Sequence, residues 1–264
     1  MRNGVMLSSA KDHCLQIRSR VYASTWRKVL FPDVCNFCGT ILLPDTDSSA
    51  NFFSSTLHIC RHCLSSLPVF LPDERKRRCL SNPYEGDPIE NFEVLVCFRY
   101  EEPISSALRL MKFRDAEYYG QVFPFFMAEA ISREEGEFDC VIPIPLSDKR
   151  LQKRGYNQAY LLAKPLADSL GIPCICAFLR RVRNTKQQSR CADPYVRIQN
   201  ISGAFEVPEE YDVSGLSVLL VDDVHTTGNT LHEAAMSLFS RGARHVAAIA
   251  VSSRRDVNCH GSMK

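Results

Sequence analysis

Residues 218–230, VLLVDDVHTTGNT, run from an apolar stretch into two aspartates and then into threonine, glycine and asparagine. Gly228 permits a turn in which backbone amides converge, and a helix that starts near Thr230 adds partial positive charge at its N-terminus. Such a turn binds anions, and threonine hydroxyls can donate hydrogen bonds to phosphate oxygens. The residues predicted to bind phosphate are Thr226, Thr227, Gly228, Asn229 and Thr230.

The two carboxylates would repel a bare phosphate, so Asp222 and Asp223 must bind another part of the ligand. The vicinal hydroxyls of a ribose, or a divalent cation shared with the sugar, are suitable partners. The pattern therefore predicts a site for a ribose 5-phosphate. The simpler alternative is that one of these polar residues only caps the following helix, but a cap requires one residue and the pattern supplies several.

Four of the twelve cysteines form two C-x2-C pairs, which are separated by 21 residues. This spacing is typical of a zinc ribbon, in which two turns present four thiolates to one ion as a tetrahedron. Because four thiolates leave no open coordination position, the pattern predicts a structural zinc ion. His58 and His62 lie nearby, but a closed four-cysteine site requires neither. The predicted ligands are Cys35, Cys38, Cys60 and Cys63.

The composition is that of an ordinary globular protein: 264 residues, a formal net charge of +2, 45% hydrophobic and 23% charged residues. This bulk charge does not favour a nucleic-acid binder. No apolar stretch reaches the roughly 18 residues that a membrane-spanning helix needs, and no export signal follows Met1. Many cysteines without an export signal favour a reducing compartment, so we expect a cytoplasmic protein.

Runs of Val, Leu and Ile alternate with helical patterns from residue 92 onward, which predicts an α/β domain with a mostly parallel sheet flanked by helices. We place a boundary near residue 85. Residues 1–85 then hold a helix at 15–30, the zinc ribbon and a basic linker, DERKRRC with SNPYEGDP. The predicted strands are FEVLVCFRY, FDCVIPIP, ISGAFEV, LSVLLV and HVAAIAV. The predicted helices are PISSALRLMKFRD, YYGQVFPFFMAEAIS, YNQAYLLAKPLADSL and TLHEAAMSLFSR.

The motif at residues 218–230 resembles the phosphoribosyl pyrophosphate (PRPP) signature of type I phosphoribosyltransferases. With VIPIPLSDKRLQKRGYNQAYLLA, RRVRNTKQQS, RIQNISGAFEV and the C-x2-C pairs, the chain is similar to the ComF family, double zinc ribbon phosphoribosyltransferases associated with bacterial competence. Three features depart from that family's pattern. RCADP follows the QS element, Pro165 should kink its helix, and His225 replaces an apolar residue and is expected to face solvent.

The resemblance implies that PRPP binds together with Mg²⁺, and that pyrophosphate leaves from C1 of the ribose toward waiting cations. It places a pyrophosphate loop at residues 145–148, and Asp222, Asp223 and Arg154 would act in the transfer step. A basic cluster follows that loop, and its alternative interpretation is a solvated helix face. The members of this cluster are Lys149, Arg150, Lys153 and Arg154.

Two more segments are assigned to the same cleft by the resemblance. Residues 184–200 would close over the ligand and exclude water, although an ordinary surface loop is the alternative. Lys112 and Arg114 would lie near the cleft, or would only offset the dipole of the helix they end. The family-motif positions in the loop are Thr185, Gln188, Arg197 and Asn200.

Two functions remain open on these observations. The first is an enzyme that transfers phosphoribosyl from PRPP to an unidentified nitrogen acceptor. The second is a binding module for DNA uptake that senses PRPP or a related nucleotide, while the ribbon and DERKRR engage single-stranded DNA or a helicase partner. The sequence leaves the acceptor and the oligomeric state open.

Overall fold

The computed structural model describes residues 32–42, 55–71, 74–78, 93–113, 118–134, 136–182 and 203–254. The chain divides into two compact units, residues 1–65 and 66–264. The boundary predicted near residue 85 falls outside the described residues and stays a prediction. The helix predicted at 15–30, the loop at 184–200 and Arg114 also lie outside them.

The first unit contains the short helix α1 (Arg61–Ser65) and an isolated antiparallel bridge between Val34 and Ile41. The second unit contains seven strands and five helices in its described part. Its strands are β1 (Lys76–Arg78), β2 (Glu93–Arg99), β3 (Cys140–Pro143), β4 (Arg180–Arg181), β5 (Phe205–Glu206), β6 (Ser217–His225) and β7 (His245–Ser253). Its helices are α2 (Ile104–Phe113), α3 (Tyr119–Ile131), α4 (Asp148–Arg154), α5 (Gln158–Leu170) and α6 (Asn229–Phe239).

The main sheet has the strand order β1-β2-β7-β6-β3. The four strands β2, β7, β6 and β3 are parallel, and β1 is antiparallel at the edge. Strand β6 is buried from Ser217 through Val221, because helices cover the sheet and leave no solvated face there. The predicted α/β fold with a mostly parallel sheet is therefore confirmed.

The strand predicted in ISGAFEV is confirmed at Phe205 and Glu206, which pair with Arg181 and Arg180 in a separate two-stranded sheet. The prediction of a linker is wrong at residues 76–78. The basic segment predicted as linker contributes β1, which pairs with residues 93–95. A run of charged residues gives no strand pattern in the sequence, although charged residues are common on edge strands.

Helices lie on both faces of the sheet and pack against it to form the hydrophobic core. Leu231, Ala234 and Leu238 of α6 belong to one buried cluster with Val218 and Leu220 of β6. On the other side, α5 packs against β3 and β6, and α3 packs against α5 and β2. In the described part of the chain, no helix is long and apolar enough to cross a membrane.

Helix α5 runs as one element from Gln158 to Leu170 although Pro165 lies inside it. Proline has no N–H, so the carbonyl of Leu161, four residues earlier, receives no hydrogen bond from position 165. That carbonyl lies against Gly120 of α3, where an added Cβ would be only 3.1 Å from the oxygen. Glycine at position 120 thus permits the close approach of α3 and α5.

Candidate phosphoribosyl site and metal centre

The site is built at the carboxyl ends of the parallel strands. Strand β6 leaves the core after Val221, so that Asp222 and Asp223 are only partly buried. The chain then turns at Gly228, whose φ of +84° is in the left-handed region, and α6 begins at Asn229. A strand, a glycine turn and a helix N-terminus in this order provide backbone amides for an anion.

The two aspartates differ in their surroundings. The backbone N–H of Asp223 donates to Asp222 Oδ1 at 2.8 Å, and Lys112 Nζ of α2 lies 2.6 Å from Asp223 Oδ2. Burial raises the pKa of Asp222 to about 7, with the Asp223 carboxylate acting in the same direction and Lys112 opposing both. Asp222 can therefore donate or accept hydrogen bonds near neutral pH, while the charge of Asp223 is balanced by Lys112.

The turn at residues 226–230, which the sequence predicts to bind phosphate, contains a buried hydroxyl without a hydrogen-bond partner in the described structure. Thr227 Oγ1 is shielded from solvent and has no hydrogen-bond partner among the described residues. Leaving such a group unpaired costs about 1–3 kcal/mol. Thr226, Gly228 and Thr230 line the same cleft, and Asn229 is the first residue of α6. An anionic ligand with several acceptor oxygens would supply the missing partner.

Helix α4 presents two of its four predicted cations to the cleft. Arg150 and Arg154 line it, whereas Lys149 and Lys153 are exposed on the helix and do not. The helix ends at Gly155, which has a φ of +80°. Arg154 Nη1 donates to Gln158 Oε1 at 2.8 Å, and burial lowers the pKa of Arg150, with Arg154 adding to the effect. Two guanidinium groups so close to each other favour a polyanionic ligand.

Arg181 of β4 joins this group, although the sequence did not single it out. Burial lowers its pKa to about 10, with Arg150 acting in the same direction and Asp222 opposing them. It remains cationic at neutral pH. Arg181 is the second residue of the motif RRVRNTKQQS, but nothing in the local pattern distinguishes it from the neighbouring arginines.

The end of α2 is held beside the site by hydrogen bonds from side chains to its backbone. Tyr156 Oη donates to the Met111 carbonyl at 2.5 Å, and Gln158 Nε2 approaches the same oxygen at 3.5 Å. Asn157 caps α5 by accepting from the Ala159 N–H, and its Nδ2 donates to the Ile144 carbonyl at 3.0 Å. These bonds keep Lys112 in place and join α2 to the loop after β3.

These groups surround one cleft of about 1050 Å³. Seven cationic side chains and three acidic ones line it, so the cleft favours anions. The cations are Arg99, Arg109, Lys112, Arg150, Arg154, Arg181 and Arg254, and the acids are Glu101, Asp222 and Asp223.

The expectation that His225 faces solvent is wrong. The residue is 1% exposed, and its Nδ1 lies 3.2 Å from Ser253 Oγ of the neighbouring strand. Strand β6 continues to His225, which pairs with Ser253 in the register of β7, and this continuation turns the side chain into the protein. The imidazole therefore supports the end of the sheet beside the turn at residues 226–230.

The four predicted cysteine ligands converge in the first unit. Their sulfur atoms all lie within 4.8 Å of one another, and the Sγ atoms of Cys38 and Cys60 are 3.7 Å apart. A tetrahedron with Zn–S bonds of about 2.3 Å has sulfur atoms about 3.8 Å apart, so the cluster fits zinc. The cluster in the described residues consists of cysteines alone, and neither His58 nor His62 belongs to it.

Local contacts prepare the cysteine cluster for a cation. The Cys60 N–H donates to Cys35 Sγ at 3.4 Å, and Gly39, with a φ of +73°, completes the first turn. Hydrogen bonding with Thr40 lowers the pKa of Cys38 to about 6, whereas burial raises the pKa of Cys63. Bringing four thiolates together requires a positive ion, and such a site stabilises its own fold when the metal binds.

The chain is similar to several known proteins. The phosphoribosyl transferase domain family matches residues 156–258. DNA utilization protein YhgH of Salmonella typhimurium is 31% identical over 193 residues, which are 71% of this chain and 81% of that protein. Competence protein F of Haemophilus influenzae is 29% identical over the same shares of the two chains. The solved structure of glutamine PRPP amidotransferase from B. subtilis, complexed with ADP and GMP, has a TM-score of 0.38 and 18% identity, covering 55% of this chain and 30% of that one.

The parallel sheet, the acidic strand end and the glycine turn together define a phosphoribosyltransferase-type domain. The four-cysteine cluster lies in the smaller N-terminal unit. The chain belongs to the competence-associated ComF family.

Proposed function

We propose that this protein binds PRPP with Mg²⁺ and transfers its phosphoribosyl group to a nitrogen acceptor. The observation that carries the proposal is that one cleft is lined by the Asp222–Asp223 pair, the threonines of the loop at residues 226–230, Arg150 and Arg154. The loop would take the 5′-phosphate, the aspartates the ribose hydroxyls, and the arginines the pyrophosphate.

The chemistry of the step requires position and charge more than a protein nucleophile. The lone pair of the acceptor nitrogen forms a bond to C1 of the ribose as the bond from C1 to the pyrophosphate oxygen breaks. The electron pair leaves on pyrophosphate, and a proton on the acceptor nitrogen passes to water. Arg150, Arg154 and Arg181 would stabilise the charge that grows on the leaving group. Bound Mg²⁺ would supply further neutralisation of the pyrophosphate oxygens.

The test is calorimetric titration of PRPP with Mg²⁺ into the full chain, comparing wild type with Asp222→Asn/Asp223→Asn. The double variant should bind PRPP at least about tenfold more weakly, because charged acceptors of hydrogen bonds are lost. Asp168→Asn is the matched control, since Asp168 lies on the exposed side of α5 and pairs with Lys164. Equal binding by wild type and the double variant would refute the assignment. A screen of amines and bases for pyrophosphate release then tests transfer.

A second candidate is an adaptor in DNA uptake that binds PRPP without turnover. It is favoured by the names of the relatives, a DNA utilization protein and a competence protein. The basic segment around Lys76, Arg77 and Arg78 would contact the phosphates of single-stranded DNA. Binding of single-stranded DNA to the full chain should then fall steeply between about 50 and 200 mM salt, because phosphate contacts release counterions. A flat salt response, or unchanged binding after replacing these three residues with alanine, argues against this candidate.

A further inference from the structure

The cleft extends beyond the acidic pair to the ends of β2 and β7. In the sheet register Ser253 lies between Arg99 and His225. The Tyr100 N–H donates to the Ser253 carbonyl at 3.0 Å, and the Arg254 N–H donates to the His225 carbonyl at 3.1 Å. Backbone bonds thus fix Tyr100 beside the end of β7 and Arg254 beside the end of β6.

Arg254 is held by an aromatic neighbour in this part of the cleft. Its guanidinium carbon lies 4.4 Å from the centroid of the Tyr100 ring, and its Nη2 donates to Tyr100 Oη at 3.1 Å. Stacking and hydrogen bonding keep the planar group in one orientation. A prearranged guanidinium loses less side-chain entropy when it binds the two oxygens of a carboxylate or phosphate.

Two other arginines that line the cleft already have carboxylate partners. Arg99 pairs with Glu74 at 2.8 Å, and Arg109 pairs with Glu102 at 2.8 Å. Across the described ranges, Arg254 has no ion pair with a carboxylate and is exposed to solvent. Its charge is therefore available to a ligand.

The strand order indicates which reactant would bind in the part of the cleft that contains Tyr100 and Arg254. The cations for the leaving group follow β3 on one side of β6, and β7 and β2 lie on its other side. Displacement at C1 needs the nucleophile in line with the leaving group and opposite to it. An acceptor must therefore approach from the side of β7 and β2, where Tyr100 and Arg254 lie.

We propose that Arg254, held by Tyr100, selects an acceptor that carries an oxyanion, either a carboxylate or a phosphate, in addition to its nucleophilic nitrogen. The inference rests on the phosphoribosyl transfer proposed above and names the class of acceptor for that site. Neutral bases would leave the Arg254 charge without a partner.

The experiment measures acceptor affinity on the full chain saturated with PRPP and Mg²⁺. Three matched pairs differ by one anionic group: nicotinate and nicotinamide, anthranilate and aniline, adenosine monophosphate and adenosine. The first two pairs test a carboxylate and the third tests a phosphate. Binding is followed by calorimetry, and pyrophosphate release is measured in parallel.

In wild type, the anionic member of at least one pair should bind about tenfold or more tightly than its neutral partner. Arg254→Gln should abolish that preference, and Tyr100→Leu should weaken it. Arg244→Gln, at the opposite end of β7 and 3.9 Å from Asp139, is the matched control and should keep it. Thermal unfolding of each variant verifies that it is folded.

The measurements distinguish failure of the proposed function from failure of the inference about the acceptor. Failure of wild type to bind PRPP refutes the proposed function and with it the inference. Binding of PRPP without an anionic preference in any pair, or a preference that survives in Arg254→Gln, overturns the inference and leaves the proposed function standing.

Discussion

Lys112 Nζ lies 2.6 Å from Asp223 Oδ2, so the last turn of α2 is joined by an ion pair to the acidic end of β6. The two side chains are 24% and 14% exposed, and solvent screens the pair less than it screens a surface pair. Because this cation balances Asp223, two carboxyl groups can lie next to each other at one strand end. The sequence leaves Lys112 either near the cleft or only offsetting the helix dipole, and this contact favours a role in the cleft.

Replacing Lys112 with methionine removes this charge while keeping most of the stem that packs against the protein. Asp223 then stays partly buried without a partner, and the free energy of unfolding at pH 7 should fall by about 1–3 kcal/mol. Urea denaturation measures the change. Lys149→Met, on the exposed side of α4, should change stability by less than about 0.5 kcal/mol. Equal stability of the two variants would show that the ion pair contributes nothing.

The raised pKa of Asp222 predicts a pH dependence of folding. Its pKa is about 7 in the folded protein and about 3.9 in an unfolded chain. Between these values the folded state binds more protons, so this group's contribution makes the protein less stable as the pH rises from about 4 to 7. Asp222→Asn should remove that contribution, which is about 2–3 kcal/mol between pH 5 and pH 7.5.

Unfolding of wild type and Asp222→Asn at pH 5 and pH 7.5 provides the measurement. The difference between the pH dependences of the two proteins isolates the contribution of Asp222 from those of other groups that titrate in the same range. Asp168→Asn is the control, because its carboxylate is exposed. An identical pH slope in wild type and Asp222→Asn would contradict the predicted shift.

Thr227→Val should separate stability from binding. The substitution removes a buried hydroxyl that has no partner in the described structure, so stability should stay the same or rise by up to about 1 kcal/mol. If that hydroxyl binds the ligand phosphate, PRPP affinity should fall about tenfold. Thermal unfolding and calorimetry on the same variant check both effects. A destabilised variant with unchanged affinity would assign Thr227 a structural role.

The cysteine cluster predicts about one zinc ion per chain. Chelation should unfold the N-terminal unit, because metal binding supplies folding free energy there, and amide exchange within residues 32–65 should rise. Cys38→Ser should lower the zinc content, whereas Cys176→Ser, an exposed cysteine outside the cluster, should not. Full zinc occupancy in Cys38→Ser would remove that residue from the ligand set.

Gly120→Ala tests the contact between α3 and α5. The added Cβ would lie 3.1 Å from the Leu161 carbonyl oxygen, which is backbone and cannot rotate away. The helices must separate slightly, at a cost of about 1–3 kcal/mol. Gln121→Ala, at the next and exposed position of α3, should have little effect on the free energy of unfolding. Normal stability of Gly120→Ala would show that the two helices can adjust.

Features that depend on residues close together in the chain could be predicted from the sequence. The C-x2-C spacing predicted the four cysteines that cluster, and the acidic strand end with its glycine turn predicted the local shape at residues 218–230. Both are local patterns, in which backbone geometry places the side chains. Hydrophobic runs likewise predicted the parallel strands, whose burial depends on their own composition.

Only the tertiary structure decided which separate elements meet at the cleft. Tyr100 and Arg254 follow strands far apart in the chain, and the strand order brings them to one edge of the main sheet. Arg181 lines the same cleft from the separate two-stranded sheet. The same order turned His225 inward and made an edge strand of the basic segment at 76–78. Sequence spacing determines what adjacent residues can do together, whereas contacts between distant residues follow from how whole strands and helices pack.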